Sequence, residues 1–188
     1  RDHCVTGVQT CALPIFVKTS FGLEDILLKE LTGLGARDPE KGVRVVIVEG
    51  DLRLMYKINL WSRVALRVLR PVKKFRVNSE QQLYDEIKKI DWSKFMSVDG
   101  TLAVDAVVNR SVMTHSLYVA LKTKDAIVDQ FREKTGRRPN VDLDRPSLRI
   151  HLHINGDEAE VSLDSSGDSL HKRGYRMQTG DAPINEAL

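Results

Sequence analysis

Leu148-Arg149-Ile150-His151-Leu152-His153-Ile154-Asn155-Gly156-Asp157-Glu158-Ala159-Glu160-Val161-Ser162-Leu163 is the most legible stretch of this chain. Leu148, Ile150, Leu152 and Ile154 alternate with Arg149, His151 and His153, the period-two pattern of a strand with one dry and one wet face. Asn155-Gly156 reads as a hairpin turn, and Ala159, Val161 and Leu163 make the return strand. Upstream, Leu117, Leu121, Ile127, Val128 and Phe131 predict a long helix that stops at Gly136. Leu102, Val104, Ala106 and Val108 predict the strand before it. Ser79 with Gln82 fits a capping box, for a helix whose buried stripe is Leu83, Ile87 and Ile90. Trp92 and Phe95 pack the short turn that follows. This unit of helix, strand, long helix and hairpin is expected over residues 79–165.

A second unit precedes it. Residues 16–20 are a short β-prone run, and Leu23, Ile26, Leu27, Leu31 and Leu34 recur at helical spacing before Gly35. Residues 43–48, V-R-V-V-I-V, read as a strand ended by Glu49-Gly50. Leu54, Ile58, Trp61 and Ala65 mark another amphipathic helix, with Arg53, Lys57 and Arg63 off its apolar face. Residues 67–77 read as extended, with Pro71 marking a break or an edge. The order strand–helix–strand–helix–strand over residues 16–78 predicts a small α/β sandwich of ferredoxin-like type. The fold class expected is therefore α/β (α+β), in two small domains. Residues 166–188 read as a polar linker that ends, at Ile184-Asn185-Glu186-Ala187-Leu188, in what looks like the first turn of another helix.

The 188 residues suit one medium domain or two small ones. With 41% hydrophobic and 29% charged residues, the composition is ordinary for a soluble, cytoplasmic protein. No apolar run approaches the roughly 20 residues that span a bilayer, so no membrane partner is expected. The net charge of +3 is mild, but its distribution is not. Between positions 52 and 79 there are eight Lys or Arg and no Asp or Glu, which points to an anionic partner. Both cysteines, Cys4 and Cys11, fall in the first fifteen residues. There the run Val5-Thr6-Gly7-Val8-Gln9-Thr10-Cys11-Ala12-Leu13-Pro14-Ile15 resembles the in-frame translation of a sequencing-library adapter. Residues 1–15 are accordingly set aside from the fold, and no disulfide or metal argument rests on the two cysteines.

Several residue groups invite chemistry. His151 and His153 share one face of a strand, but no third ligand is evident nearby. A polar outer face explains them better than a metal site, and none is expected. Asp164-Ser165-Ser166-Gly167 with His171 contains the residue types of a hydrolytic triad, yet lacks the strand–turn–helix elbow a nucleophilic serine needs; a tight polar turn is the better reading. Beyond residue 15 there is no Gly-x-Gly-x-x-Gly, no Walker-type loop and no cysteine pair. No catalytic and no cofactor-binding residue is therefore assigned. The basic residues are the best material: Lys122 and Lys124 on the long helix, then Arg132, Lys134, Arg137 and Arg138 around its end. These would neutralise phosphates, or form a solvated face balanced by Asp125, Asp129 and Glu133; charge alone does not choose. Trp61, Trp92 and Phe131 are expected in the core rather than as base-stacking platforms.

The tail chooses. Val161-Ser162-Leu163-Asp164-Ser165-Ser166-Gly167, then Leu170-His171-Lys172-Arg173-Gly174-Tyr175-Arg176, then Ala182-Pro183-Ile184-Asn185-Glu186 closely resembles a junction in THUMP-domain RNA methyltransferases of the bacterial large-subunit rRNA guanine-N2 type. Thr114-His115-Ser116 and Lys122-Thr123-Lys124-Asp125-Ala126-Ile127-Val128 resemble that family's long THUMP helix. Phe21-Gly22-Leu23-Glu24, Gly50-Asp51 and Met55-Tyr56-Lys57-Ile58-Asn59-Leu60-Trp61-Ser62-Arg63 resemble its N-terminal ferredoxin-like part. The resemblance covers residues 16–188. It implies an RNA partner, most of all rRNA, and an S-adenosylmethionine-dependent catalytic domain of Rossmann-like type that is absent from these residues. It adds His171, Lys172, Arg173 and Arg176 to the helix cations as RNA-contact candidates. Two alternatives stand beside it: the THUMP module of a tRNA-thiolating or tRNA guanine-methylating enzyme, and a ferredoxin-like regulatory module for small molecules or proteins.

Overall fold

The computed structural model describes residues 13–172, which divide into two compact units, residues 13–68 with 169–172, and residues 69–168. The first runs β1 (Leu13–Thr19), α1 (Glu24–Gly33), β2 (Arg37–Lys41), β3 (Val45–Gly50), α2 (Leu52–Trp61) and the start of β4 (Ala65–Arg76). Its strand order is β2-β3-β1-β4, the ferredoxin-like arrangement expected, with β3 antiparallel to both β1 and β2.

Three details depart from the sequence reading. Strand β1 begins at Leu13, and Leu13, Pro14 and Ile15 pair with Gly50, Glu49 and Val48. Ile15 is fully buried, so these three residues belong to the fold although they had been set aside. Strand β2, Arg-Asp-Pro-Glu-Lys, went unforeseen. It is an exposed edge strand whose pairing with β3 is interrupted between Arg37 and Glu40, with Asp38 at φ +43°. Nothing in its side chains alternates; only the neighbouring strand makes it a strand, and an edge tolerates Pro39. Finally Ala65, read as helical, is a buried residue of β4.

The first core gathers Ile15, Val17, Leu27, Leu31, Val46, Val48, Met55, Ile58 and Val68 between the sheet and its two helices. Leu170 packs on it, and its N–H donates to the Leu66 carbonyl at 2.9 Å. Glu24 is buried among these residues with a defined task. Its carboxylate accepts from the N–H of Gly22 at 2.8 Å and of Arg44 at 2.9 Å, tying the β2–β3 turn to the start of α1. The Arg44 amide, first of all, holds the Glu24 carboxyl below the usual carboxylate range.

The second unit runs from β4 through α3 (Glu80–Lys88), a 3-10 turn at Trp92–Lys94, β5 (Thr101–Asn109), α4 (Ser116–Thr135), β6 (Asn140–Val141), β7 (Leu148–Asn155) and β8 (Glu158–Asp164). Its sheet is ordered β4-β8-β7-β5-β6. Strand β5 is parallel to β6 and β7, and β8 is antiparallel to β4 and β7. Leu102, Ile150, Leu152, Ile154, Ala159 and Val161 form the dry face, packed with Leu83, Ile87, Trp92, Ile127 and Phe131. The hairpin is as read, with the turn one residue later: Asn155 pairs with Glu158 across Gly156-Asp157, and Gly156 takes φ +65° as the first central residue of such a turn requires. The capping box also forms. Ser79 Oγ accepts from the Gln82 N–H at 3.2 Å, while Gln82 Oε1 accepts from the N–H of Asn78.

Helix α4 has its length and its stop as expected; Gly136 sits at φ +71° with its N–H on the Arg132 carbonyl. Its buried face is as expected at Ile127, Val128 and Phe131 and differs in the first half of the helix. Val119, Thr123, Ile127 and Phe131, four residues apart, line the core with Ala120 and Ala126, whereas Leu117 and Leu121 are exposed. Ile26 of α1 is likewise exposed. Trp61, expected in the core, stands 64% exposed on α2, while Trp92 is fully buried.

Candidate nucleic-acid interface

The end of α4 is where the helix cations collect, and they do not collect alone. Lys124, half-buried, pairs with Asp125 at 2.6 Å. Lys134 meets Asp91 at 2.7 Å, Arg138 meets Asp129 at 3.6 Å, and Arg137 pairs with Asp99. Lys122 lies over the Tyr84 ring, 5.2 Å from its centroid, and Tyr84 in turn donates its hydroxyl to Asp129 at 2.9 Å. Arg132 is exposed beside Asp129 and Glu133. This face of α3 and α4 is thus laced with both signs of charge. The electrostatics follow: Lys134, then the Ser93 hydroxyl, bring the Asp91 carboxyl down to about 2, and Glu133 raises Lys88, which it meets at 2.5 Å. Exposed pairs of this kind are worth little to stability, and a phosphate competes with each for its cation.

The tail cations are only partly on view. His171 Nδ1 lies 2.7 Å from Ser169 Oγ, and Lys172 is exposed. Arg173 and Arg176 lie outside the described residues, as do Cys4 and Cys11. The acid-free block of positions 52–79 divides sharply. Lys73 pairs with Glu86 at 2.8 Å, Lys74 with Glu158 at 2.8 Å, and Arg76 approaches Asp157 at 3.8 Å. Acids distant in sequence answer the second half of the block. Arg53 and Arg63 of the first half have no carboxylate partner among the described residues.

The other sequence candidates resolve locally. His151 and His153 lie on the outer face of β7, where Asn109 Nδ2 is 3.2 Å from His153 Nε2, and the described residues hold no group of three or more His, Cys, Asp or Glu suited to a metal. Asp164 accepts from the N–H of Ser166 at 2.9 Å, the turn expected there. A nucleoside or dinucleotide cofactor is fitted poorly by the strand-to-helix turns of the first unit. The turn into α1 is filled by the Glu24 carboxylate, and the turn into α2 by Asp51, which accepts from the Leu54 N–H at 2.8 Å. Both helix N-termini carry the chain's own negative charge where an anionic ligand would bind. Among the described residues no helix is long and apolar enough to cross a membrane.

Comparison with known proteins matches residues 14–69 to the RlmL ferredoxin-like domain and residues 77–164 to the THUMP domain. The Ribosomal RNA large subunit methyltransferase K/L of Methylococcus capsulatus is 45% identical over 173 residues, 92% of this chain and 23% of that protein. Its namesake in Syntrophotalea carbinolica is 44% identical over 176 residues, 94% of this chain and 25% of that protein. The chain therefore spans about a quarter of the length of these relatives. Among solved structures, a Listeria monocytogenes protein described as a predicted N6-adenine-specific DNA methylase matches with a TM-score of 0.80 at 31% identity, over 94% of this chain and 46% of that one.

Proposed function

We propose that this chain, whose residues 77–164 match the THUMP domain and residues 14–69 the RlmL ferredoxin-like domain, is the RNA-binding portion of an S-adenosylmethionine-dependent rRNA methyltransferase. The observation that carries the reading is a single alignment at 45% identity running through both domains into a relative named for large-subunit rRNA methylation. In the whole protein the methyl donor supplies the transferred carbon, and the exocyclic N2 of a guanine in large-subunit rRNA receives it. We place the residues that hold the donor outside the two domains; the strand-to-helix turns of the first do not fit it. What these domains do is hold RNA by shape and phosphate charge. The same reading favours the cytoplasm as the place of action.

The test is a fluorescence titration of the full 188-residue chain with a folded large-subunit rRNA fragment across a salt series. Binding should weaken steeply with salt, and Lys122→Ala with Lys124→Ala should reduce the log–log slope by about 1 per cation removed. Lys124 contributes only if RNA displaces Asp125. Failure of the unaltered chain to bind structured rRNA at low salt would overturn the proposal, and an unchanged slope would remove the two lysines from it.

A further inference from the structure

The outer face of α2 lies away from the first core. Met55 and Ile58 point into the first core, with Leu54 packed beside them. The opposite side carries Arg53, Tyr56, Lys57, Leu60 and Trp61, all exposed, with Arg63 just past the helix end. On a 3.6-residue helix these five positions cover one continuous half of the surface. Tyr56 and Trp61 are each 64% exposed and Leu60 67%, a concentration of large apolar groups that a surface with no partner rarely keeps.

The charge on this face is of one sign, and the reason lies in its neighbours. Asp51 at the head of α2 is committed to the Leu54 N–H. Glu30, at the other end, accepts from the Ser62 hydroxyl at 2.6 Å and from the Arg63 N–H at 2.8 Å. Both nearby carboxylates are turned toward groups that close the helix, which leaves the guanidinium groups of Arg53 and Arg63 unanswered by any described acid. Lys57 gives one of its three donors to the Leu34 carbonyl at 2.7 Å and keeps two. The α3–α4 face described above has the opposite character: Lys88, Lys124, Lys134, Arg137 and Arg138 each pair with a carboxylate.

Unanswered cations with exposed rings between them fit single-stranded nucleic acid better than they fit a protein. Phosphates satisfy the guanidinium groups, and every base offers a flat face to Tyr56 or Trp61, about 7.5 Å apart along the helix axis. We propose that the Arg53–Tyr56–Lys57–Trp61–Arg63 face of α2 is a second RNA-contacting surface, in the ferredoxin-like domain, on which unpaired bases of the RNA stack. It rests on the RNA-binding reading above and locates part of that binding away from the THUMP domain. It also assigns Trp61 and Tyr56 a role that a core assignment would deny them.

The experiment uses the full chain with a fluorescently labelled mixed-sequence single-stranded RNA and a fully duplex RNA of the same length. Trp61 and Trp92 are the only tryptophans in the sequence, and Trp92 is buried, so stacking should quench the exposed indole selectively. Single-stranded RNA is expected to lower tryptophan emission, and the loss should vanish in Trp61→Phe. Tyr56→Ala and Trp61→Ala should each weaken single-strand binding by about tenfold with an unchanged melting temperature, and duplex binding much less. Tyr56→Phe, which keeps the ring, should bind as the unaltered chain does. Arg53→Gln with Arg63→Gln should flatten the salt slope while leaving the quench in place. If the unaltered chain binds RNA but the Tyr56→Ala, Trp61→Ala double variant binds single strands equally well, this inference falls and the functional reading stands. If the unaltered chain binds no RNA, both fall. A dimer in sedimentation that Trp61→Ala dissolves would make a second copy of the chain the occupant and overturn the RNA assignment.

Discussion

Gln130 is a polar residue in the buried seam of α4, and its side chain makes three hydrogen bonds to backbone. Its carbonyl accepts from the Trp92 N–H at 3.0 Å, and its amide donates at 2.6 Å to the carbonyls of both Lys88 and Ile90. One side chain thus closes the end of α3, starts the 3-10 turn and fixes α4 against both. Gln130→Leu keeps the volume but strands three buried backbone groups, and should cost about 3 kcal/mol in urea unfolding. Gln130→Glu should do no better at neutral pH, because a carboxylate cannot donate to the two carbonyls. A loss under about 1 kcal/mol for both variants would mean that water replaces the amide. No periodicity marks Gln130: a glutamine in a helix reads as surface until the neighbouring turn is known to fold over it. Glu24 hides in the same way, with a local signal only in Gly22 just before it.

At the scale of elements, strong patterns and chain breaks were readable and weak ones were not. The β7–β8 hairpin alternates cleanly because its sheet has one dry face, and α3 shows its cap. Helix α4 was found with its end, because glycine alone takes φ +71° at little cost. Gly136→Ala should therefore destabilise by about 1 kcal/mol, and Gly136→Asn by less, in thermal melts. No atom lies within 4 Å of the added methyl, so the cost is torsional; a larger loss would mean that the helix end packs more tightly than it does here. The sequence reading holds for the second half of α4, where Ile127, Val128 and Phe131 are buried, and fails in the first half, where the large Leu117 and Leu121 are exposed. In that first half the seam is built of Val119, Ala120 and Thr123, and Leu117 and Leu121 lie outside it. Strand β2 escaped notice for a related reason: an edge strand with Pro39 and four charged residues has no pattern of its own, and its hydrogen bonds to β3 make it a strand.

Across the molecule, charge links both units to pH. Glu24 in the first unit is held below the usual carboxylate range by the Arg44 amide, Glu86 in the second by Lys73 and then Lys89, and Asp91 by Lys134 down to about 2. Each binds its proton less readily folded than unfolded, so protonation favours unfolding. Their stabilisation is whole above the ordinary values of 4.5 for glutamate and 3.8 for aspartate. It fades as pH falls through the lowered values, down to about 2. Chemical denaturation midpoints should thus be level from neutral pH to about 5 and decline below it. Asp91→Asn should start lower and show a shallower decline; an identical slope would remove Asp91 from the account. Sequence alone determined the two-domain plan, the ferredoxin-like class of the first unit without its edge strand β2, the hairpin and the acid-free block, because these depend on hydrophobic period, turn chemistry and local composition, which neighbouring residues impose on one another. Tertiary structure alone decided which cations keep their charge unanswered and which aromatic stands in solvent. Lys73, Lys74 and Lys134 meet acids 13, 84 and 43 positions away, and the α2 face keeps its charge because Glu30 is drawn to Ser62, 32 positions along the chain. Pairings over such distances are made by the folding of the sheet and helices, and no local pattern encodes them.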